Sequence, residues 1–162
     1  MFLQFIIAFL VSMVPLIELR GAVPIAVAMN SGLPEWAILI AAIIGNMVPV
    51  PFIYLYARKF LEWGSRQKWA KFKKFCNFCL KKGEKAGKEI VKKAGKNGTF
   101  VALMLFVAIP LPGTGAWTGA LGASILKFDF KKAVVSISLG VAIAGLIMLL
   151  ASLGLFRWIF GA

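Results

Sequence analysis

Four long apolar stretches fill most of the chain, and only two of them are uninterrupted. Residues 36–57 and 133–156 are each long enough to cross the roughly 30 Å hydrocarbon core of a bilayer as a helix. Residues 2–29 and 99–126 are broken near the middle, by PLIELRGAVP and by PLPGTGAWTG respectively. Irregular backbone at membrane depth is tolerated only where it is buried in protein or lines a cavity. We therefore expect the two breaks to meet inside the protein.

Composition agrees with an all-α integral membrane protein. Of 162 residues 60% are hydrophobic, and the mean hydropathy is +0.87, which is typical of long membrane spans. The N-terminus lacks the basic region and the small-residue cleavage site of a signal peptide, so we expect it to be retained.

Positive charge is concentrated in one segment. Of the 19 Lys and Arg residues, 14 lie within residues 58–98, together with only three Glu. The positive-inside rule predicts that this segment is cytoplasmic. It contains no nucleic-acid-binding motif, so the net charge of +13 does not indicate a nucleic-acid partner.

The basic segment has the pattern of an amphipathic helix over residues 66–94. The pattern fits a helix that lies on the anionic inner leaflet, and it equally fits a helix that packs under the membrane part of the protein. The apolar stripe consists of Trp69, Phe72, Cys76, Cys79 or Leu80, Gly83, Gly87, Ile90 and Ala94.

Residue types that carry catalysis or bind metals are scarce. There is no histidine, and Cys76 and Cys79 cannot supply the four ligands of a structural zinc site. A redox CxxC pair is typical of a βαβ context, which is missing here. We find no nucleophile–base pair either, so the sequence predicts no enzyme, no cofactor and no metal, and the cysteines are interpreted as packing residues.

The two halves of the chain resemble each other. Val14-Pro15-Leu16 matches Ile109-Pro110-Leu111, and Gly21-Ala22 matches Gly115-Ala116. Each broken stretch is followed by a short linker and then by a full span. Each span has small residues four apart, which allow close helix contact. These residues are Ala37, Ala41 and Gly45 in the first span, and Ser136, Gly140 and Ala144 in the second.

Charge also predicts the path of the broken stretches. If residues 99–126 crossed the membrane, the lysines within 127–132 would lie outside, against the positive-inside tendency. Each arm of this stretch has about 11 residues, or roughly 16 Å of helix, which is half a bilayer. We therefore predict a re-entrant hairpin with its tip near the midplane. By the repeat argument residues 2–30 form a second hairpin entering from outside, although charge alone leaves a full span open.

The predicted fold is thus two inverted repeats in the cytoplasmic membrane, residues 1–57 and 99–162, joined by the cytoplasmic segment 58–98. Each repeat is a re-entrant hairpin plus one transmembrane helix. Residues 127–132 are then cytoplasmic and both termini lie outside. Secondary transporters with this plan bind their substrate at the midplane, where broken helices meet.

Glu18 and Arg20 are the only ionisable residues deep in the predicted membrane zone, which makes them functional candidates. Arg20 with the free N–H groups after Gly21 and Gly115 would suit an anion. Glu18 would carry a proton or receive a cation, although a buried structural ion pair is the alternative. The candidate binding residues are Glu18, Arg20, Gly21, Pro24 and Asn46 in the first half, and Pro110, Pro112, Gly113, Thr114, Gly115, Trp117 and Thr118 in the second.

Asn46 lies where Pro49 and Pro51 interrupt the first span. These prolines free the carbonyls of Gly45 and Met47, which with Asn46 would bind a coupling cation. A proline kink that shapes the helix around its neighbour explains the same residues.

The combination of ELRGAVP early, IPLPGTGAWTGA late and a basic middle resembles the small multidrug export protein family over nearly the whole chain. The resemblance implies export of small molecules. The layout more distantly resembles the DedA family, which implies translocation of lipid carriers such as polyprenyl phosphates, coupled to ion gradients. Glu18 would match one DedA acid, but the second acid and the arginines of the second tip are missing.

The main hypothesis is therefore a small secondary carrier, coupled to a proton or cation and built as a homodimer. Its substrate would be a small amphiphile or an anionic lipid head group. A translocase of an anionic lipid carrier and a non-transporting membrane assembly protein are the alternatives.

Overall fold

The computed structural model describes residues 2–15, 17–29, 34–111 and 114–160, and the side chains of these residues except 2–4, 79, 82–94, 96–97 and 155–160. The described chain is helical and contains no strand. Its helices are α1 (Phe2–Met13), α2 (Glu18–Ala28), α3 (Glu35–Met47), α4 (Pro49–Gly64), α5 (Ala70–Ala108), α6 (Ala116–Ile125) and α7 (Phe130–Phe160).

Both uninterrupted apolar stretches form helices long enough to cross a membrane, as predicted. Residues Glu35–Gly64 comprise α3 and α4, joined by a bend at Val48, and Phe130–Gly154 lie in α7. The bend directly precedes Pro49, which has no backbone N–H to donate to the Gly45 carbonyl as in an uninterrupted helix. The kink predicted for this position is present.

The helix that contains the predicted span 36–57 continues to Gly64. No residue between these positions breaks the helix. An ion pair between Arg58 Nε and Glu62 Oε1, at 2.7 Å and one turn apart, joins the last two turns.

The basic segment is helical from Ala70, and Gly95 separates it from the apolar helix that follows. Gly95 has φ 65 and ψ −178, a conformation that is essentially restricted to glycine. We call residues 70–94 the basic arm of α5 and residues 98–108 its apolar arm. The helix predicted over residues 66–94 begins at Ala70, four residues later than predicted, because residues 65–69 form turns and bends after α4.

The start of the basic arm packs against the end of α4. Cys76 is buried, and a Cβ added to Gly64 would lie 2.7 Å from its Sγ. Phe72 makes an edge contact with Phe60, with ring centroids 6.3 Å apart. The predicted stripe is thus used here for protein packing. Trp69 does not belong to it, since this residue precedes the helix and is 80% exposed.

The broken stretches fold back on themselves. We call α1–α2 the first hairpin and the apolar arm of α5 with α6 the second hairpin. In the first, Ala8 and Ala26 share a buried cluster with Ile38 and Ala41 of α3. In the second, Ser136 of α7 donates a hydrogen bond to the carbonyl of Phe100 at 2.6 Å, beside the point where α6 ends. Each hairpin therefore begins and ends beside the start of the span that follows it.

The same helix contacts occur in both halves. α1 packs on α2 and α3, and the apolar arm of α5 packs on α6 and α7. Gly45 of α3 lies against the Phe9 carbonyl, and Gly140 of α7 lies against the Met104 carbonyl. Each residue of the second pair comes 95 positions after its counterpart in the first pair. The small-residue stripes therefore produce the close helix contacts predicted for them. Between the halves, α2 packs on α7 and α4 packs on α6.

The open ends of the two hairpins lie far apart along the first span. Ile38 contacts the first hairpin's open end. Tyr54, sixteen residues or roughly 24 Å further along the helix, contacts the second. There its carbonyl accepts a hydrogen bond from Ser124 Oγ at 2.6 Å, and its hydroxyl donates to the Phe128 carbonyl. We call the described residues at which the hairpins turn the two tips: 14, 15 and 17 in the first hairpin, and 109–111, 114 and 115 in the second.

Candidate functional site

Glu18 begins α2 in an uncommon backbone conformation. Its φ is 49, in the left-handed region, which costs a residue with a Cβ on the order of 1–3 kcal/mol. Its amide donates to the Val14 carbonyl at 3.0 Å, which closes the turn of the first tip.

The Glu18 carboxylate lies at the N-terminus of α6. Oε1 accepts a hydrogen bond from the backbone N–H of Trp117 at 3.1 Å. A negative charge at this position is stabilised by the unpaired amides and the positive end of the helix dipole. Gly115, the N-cap residue, leaves room for it, since a Cβ there would lie 2.8 Å from Glu18 Cδ.

The Arg20 guanidinium lies at the C-terminal end of α5. Nη2 donates to the carbonyl of Ile109, the C-cap of α5, at 3.2 Å and to Thr114 Oγ1 at 2.9 Å, and Nη1 donates to the Leu111 carbonyl. A cation is favourable beside carbonyls left without helical partners. Within the described residues, these contacts use three of the five N–H donors of a guanidinium.

Glu18 and Arg20 thus reach different partners. The first hairpin supplies an anion for the amides of the second tip and a cation for its carbonyls. The anion site predicted from free amides is altered in two respects. α2 begins at Glu18, not after Gly21, and the Gly21 amide donates to the Ile17 carbonyl at 3.0 Å. At the second tip, Glu18 itself binds the Trp117 amide.

A cavity of about 820 Å³ lies between the tips. Cavities of 300–1,000 Å³ are typical of sites for drug-sized ligands. Of the candidate residues, seven line it: Glu18, Arg20, Gly21, Pro110, Thr114, Trp117 and Thr118. We call it the tip cavity.

The tip cavity combines an apolar wall with a few polar groups. The indole Nε1 of Trp117 is buried and has no hydrogen-bond partner within the described residues. Thr114 Oγ1 lies 2.7 Å from the Ile109 carbonyl, while Thr118 is exposed, with its hydroxyl 3.4 Å from the Gly115 carbonyl. A bound molecule would therefore find one acid and one base in the lining.

Two further candidates, Pro24 and Asn46, do not line the cavity. Pro24 is inside α2, half-buried and not among the residues lining the cavity. Asn46 is also outside the lining, 2% exposed, with its Oδ1 unpartnered in the described part of the chain. Pro112 and Gly113 lie outside the described residues.

The sequence interpretation missed the apolar side of the cavity. Pro15, Ile17 and Leu121 line it from the hairpins, and Ile53 and Met148 from the two spans. Nothing distinguishes Ile53 or Met148 from the other apolar residues of their helices in the sequence. Pro15 and Ile17 shortly precede Glu18 within the break, and this proximity was the available signal.

These features define a small helical membrane protein with two spans and two broken helical hairpins whose tips enclose a cavity. The chain belongs to the family described as "putative small multi-drug export protein", whose model matches residues 18–147. That description is of an exporter, not of an enzyme. No curated protein and no solved structure matches the chain.

Proposed function

We propose that the protein is a secondary carrier that exports small amphiphilic molecules through the tip cavity. The observation that carries the proposal is the meeting of the two helix breaks around this cavity, with the membrane zone's acid and base both in its lining. Ionisable groups at membrane depth mark transport pathways by default. The family description points to the same class of substrate.

In the membrane, the two hairpins are re-entrant and the repeats are inverted. In support, each hairpin returns to its starting end, and the two open ends lie roughly 24 Å apart along the first span. Under the positive-inside rule residues 58–98 and 127–132 are cytoplasmic and both termini are outside the cytoplasmic membrane.

Cysteine labelling in intact cells tests this topology in a background without Cys76 and Cys79. Leu33→Cys should react with an impermeant reagent from outside. Lys85→Cys and Asp129→Cys should react only after the membrane is opened. Labelling of position 129 from outside would make the second hairpin a full span and contradict the inverted arrangement.

Coupling resides in Glu18. The ionised carboxylate holds the amide end of α6, and a proton removes the charge that this helix end stabilises. Protonation therefore weakens the contact between the tips and permits the cavity to open, so that proton entry is linked to substrate release. A cation in place of the proton would compete for the same carboxylate.

The proposed carrier is a homodimer, because two spans per chain are too few to enclose a pathway. α3, α4 and α7 expose many large apolar side chains, which suit lipid or a second copy. Crosslinking in intact membranes and particle mass in mild detergent test this, and a monomer in both would exclude it.

A second candidate function, membrane assembly without transport, is favoured by the contacts of Glu18 and Arg20 with the second hairpin. Flux into proteoliposomes, measured beside thermal stability, separates the two. For a carrier, Glu18→Gln should abolish the pH dependence of flux while the protein stays folded, and Arg20→Met should reduce substrate affinity. If flux falls only in proportion to lost folded protein, the pair is structural.

A further inference from the structure

The basic arm of α5 has an exposed face beside the stripe that packs on α4. Phe72 and Cys76 belong to the packed stripe, since a Cβ on Gly64 would lie 2.7 Å from Cys76 Sγ and 2.8 Å from Phe72 Cε1. A helix turns by about 100° per residue, so Lys71 and Phe75, each one residue earlier, lie on the adjacent face. Both side chains are exposed, and Phe75 keeps 61% of its surface. The helix therefore presents more than its contact with α4.

Lysine side chains dominate this exposed face. Lys74 and Lys81 lie within about 80° of Lys71 around the helix, and all three lysines are exposed. Residues 66–81 contain six basic residues and no acidic residue, so no carboxylate of that segment offsets their charge. We call Lys71, Lys74, Phe75 and Lys81 the lysine face.

Packing on α4 places the lysine face near the end of the first span. The rings of Phe60 and Phe72 have centroids 6.3 Å apart, and Phe75 follows Phe72 by roughly 4.5 Å along the helix. Phe60 comes just after the apolar stretch 36–57, where charged side chains begin. Basic and aromatic residues at the end of a span are typical of the head-group level of a bilayer. Lipid head groups would therefore lie beside the lysine face.

We infer that the lysine face binds anionic lipids of the leaflet beside the basic arm. Lysine clusters next to a span are attracted to anionic head groups, and their stems cover apolar surface while the ammonium groups contact phosphates. Phe75 supplies the apolar contact of an interfacial helix. A protein partner fits less well, because the core of a protein interface is depleted in charged residues. The lysine face lies outside the tip cavity, and lipid binding there requires no transport.

Amide hydrogen exchange of the whole chain tests the inference. The protein is placed in nanodiscs of phosphatidylcholine, which has no net charge, and in nanodiscs that also contain the anionic lipid phosphatidylglycerol. Amides of residues 70–81 should exchange at least about fivefold more slowly in the anionic nanodiscs, the effect of a single lysine held at an anionic surface. High salt should reduce this difference by screening the charges. Amides of α7 should exchange equally in both nanodiscs, which checks that the membrane part of the protein is unchanged.

Two lysine variants test whether this face is the one that binds. Lys71→Gln should speed exchange of residues 70–81 about fivefold in the anionic nanodiscs and leave it unchanged in the neutral ones. Lys73→Gln is the matched control, because Lys73 is also exposed but lies about 160° around the helix from Lys71. Phe75→Ala should also speed exchange in the anionic nanodiscs, although alanine itself favours the helix.

Two results would overturn the inference. Equal exchange of residues 70–81 in neutral and anionic nanodiscs would mean that the contact with α4 alone holds the arm. Equal effects of Lys71→Gln and Lys73→Gln would mean that net charge attracts lipid without any role for the lysine face. Neither result involves flux through the tip cavity, so the proposed function is tested separately.

Discussion

Replacing Gly115 by Ala tests whether the Glu18 carboxylate joins the two hairpins. Gly115 has φ 161 and ψ −172, extended backbone that any residue adopts. Glycine is therefore needed here only because a Cβ would clash with the Glu18 carboxylate, not because of the backbone conformation. An added methyl would lie 2.8 Å from Glu18 Cδ and Oε1, so the carboxylate has to leave the end of α6.

The expected cost is about 2–4 kcal/mol of unfolding free energy. Overpacking by one methyl costs about 1–3 kcal/mol. The hydrogen bond from the Trp117 amide to the charged carboxylate is worth about 1.5–3 kcal/mol. These two effects overlap, because the methyl acts by displacing the same carboxylate, so they are not simply added.

A double-mutant cycle in mild detergent measures the effect. In a Glu18→Ala background the methyl has nothing to displace, and Gly115→Ala should cost less than about 0.5 kcal/mol. Gly122→Ala is the control on the same helix, since its Cβ enters open space. An equal cost of Gly115→Ala in both backgrounds would refute the assignment of this glycine to the carboxylate contact.

Three further predictions concern substitutions at single positions. Arg20→Met should lower the free energy of unfolding by at least about 1.5–3 kcal/mol, the contribution of one charge-assisted hydrogen bond. Arg20→Lys should recover only part of this loss, because an ammonium lacks the planar fork that reaches separate acceptors. Gly45→Ala and Gly140→Ala should both destabilise by about 1–3 kcal/mol in unfolding experiments, since each methyl would press on a facing carbonyl; a neutral effect at either would contradict the shared helix contact. Gly95→Ala should lower the free energy of unfolding by about 1–3 kcal/mol, because alanine is strained at the φ of 65 found there. Gly154→Ala should raise it by up to about 1 kcal/mol, since its Cβ enters open space. Equal effects of the two variants on unfolding would exclude backbone strain at Gly95.

The elements of the fold were largely predictable from local sequence. Long apolar runs become helices, and Pro15 and Pro110 end the first arm of each hairpin where the pattern breaks. The stripes around Gly45 and Gly140 correctly predicted close helix contacts, because small side chains have few other uses inside a span. Exact helix ends were less accessible, since α4 continues to Gly64 through residues whose polar character suggested a boundary.

The candidate site was predictable in its residues but not in its bonds. Glu18 and Arg20 are conspicuous because charge is rare in an apolar stretch. Apart from the Thr114 hydroxyl, their partners are backbone groups of Ile109, Leu111 and Trp117, 89 to 99 positions away, and backbone groups carry no signature in the sequence. The left-handed φ of Glu18 is equally hidden in the sequence.

A common physical problem explains why an acid and a base stand in the first tip. Breaking two helices inside an apolar protein leaves amides and carbonyls without partners, and each such group is costly when buried. Glu18 satisfies an amide and Arg20 satisfies carbonyls of the second tip. The same two charges line the tip cavity, so any ligand or proton that binds them competes with the contact between the hairpins. Loss of flux alone therefore cannot identify a transport role. Glu18→Gln is the decisive variant, because its amide oxygen still accepts the Trp117 hydrogen bond while the titratable charge is gone.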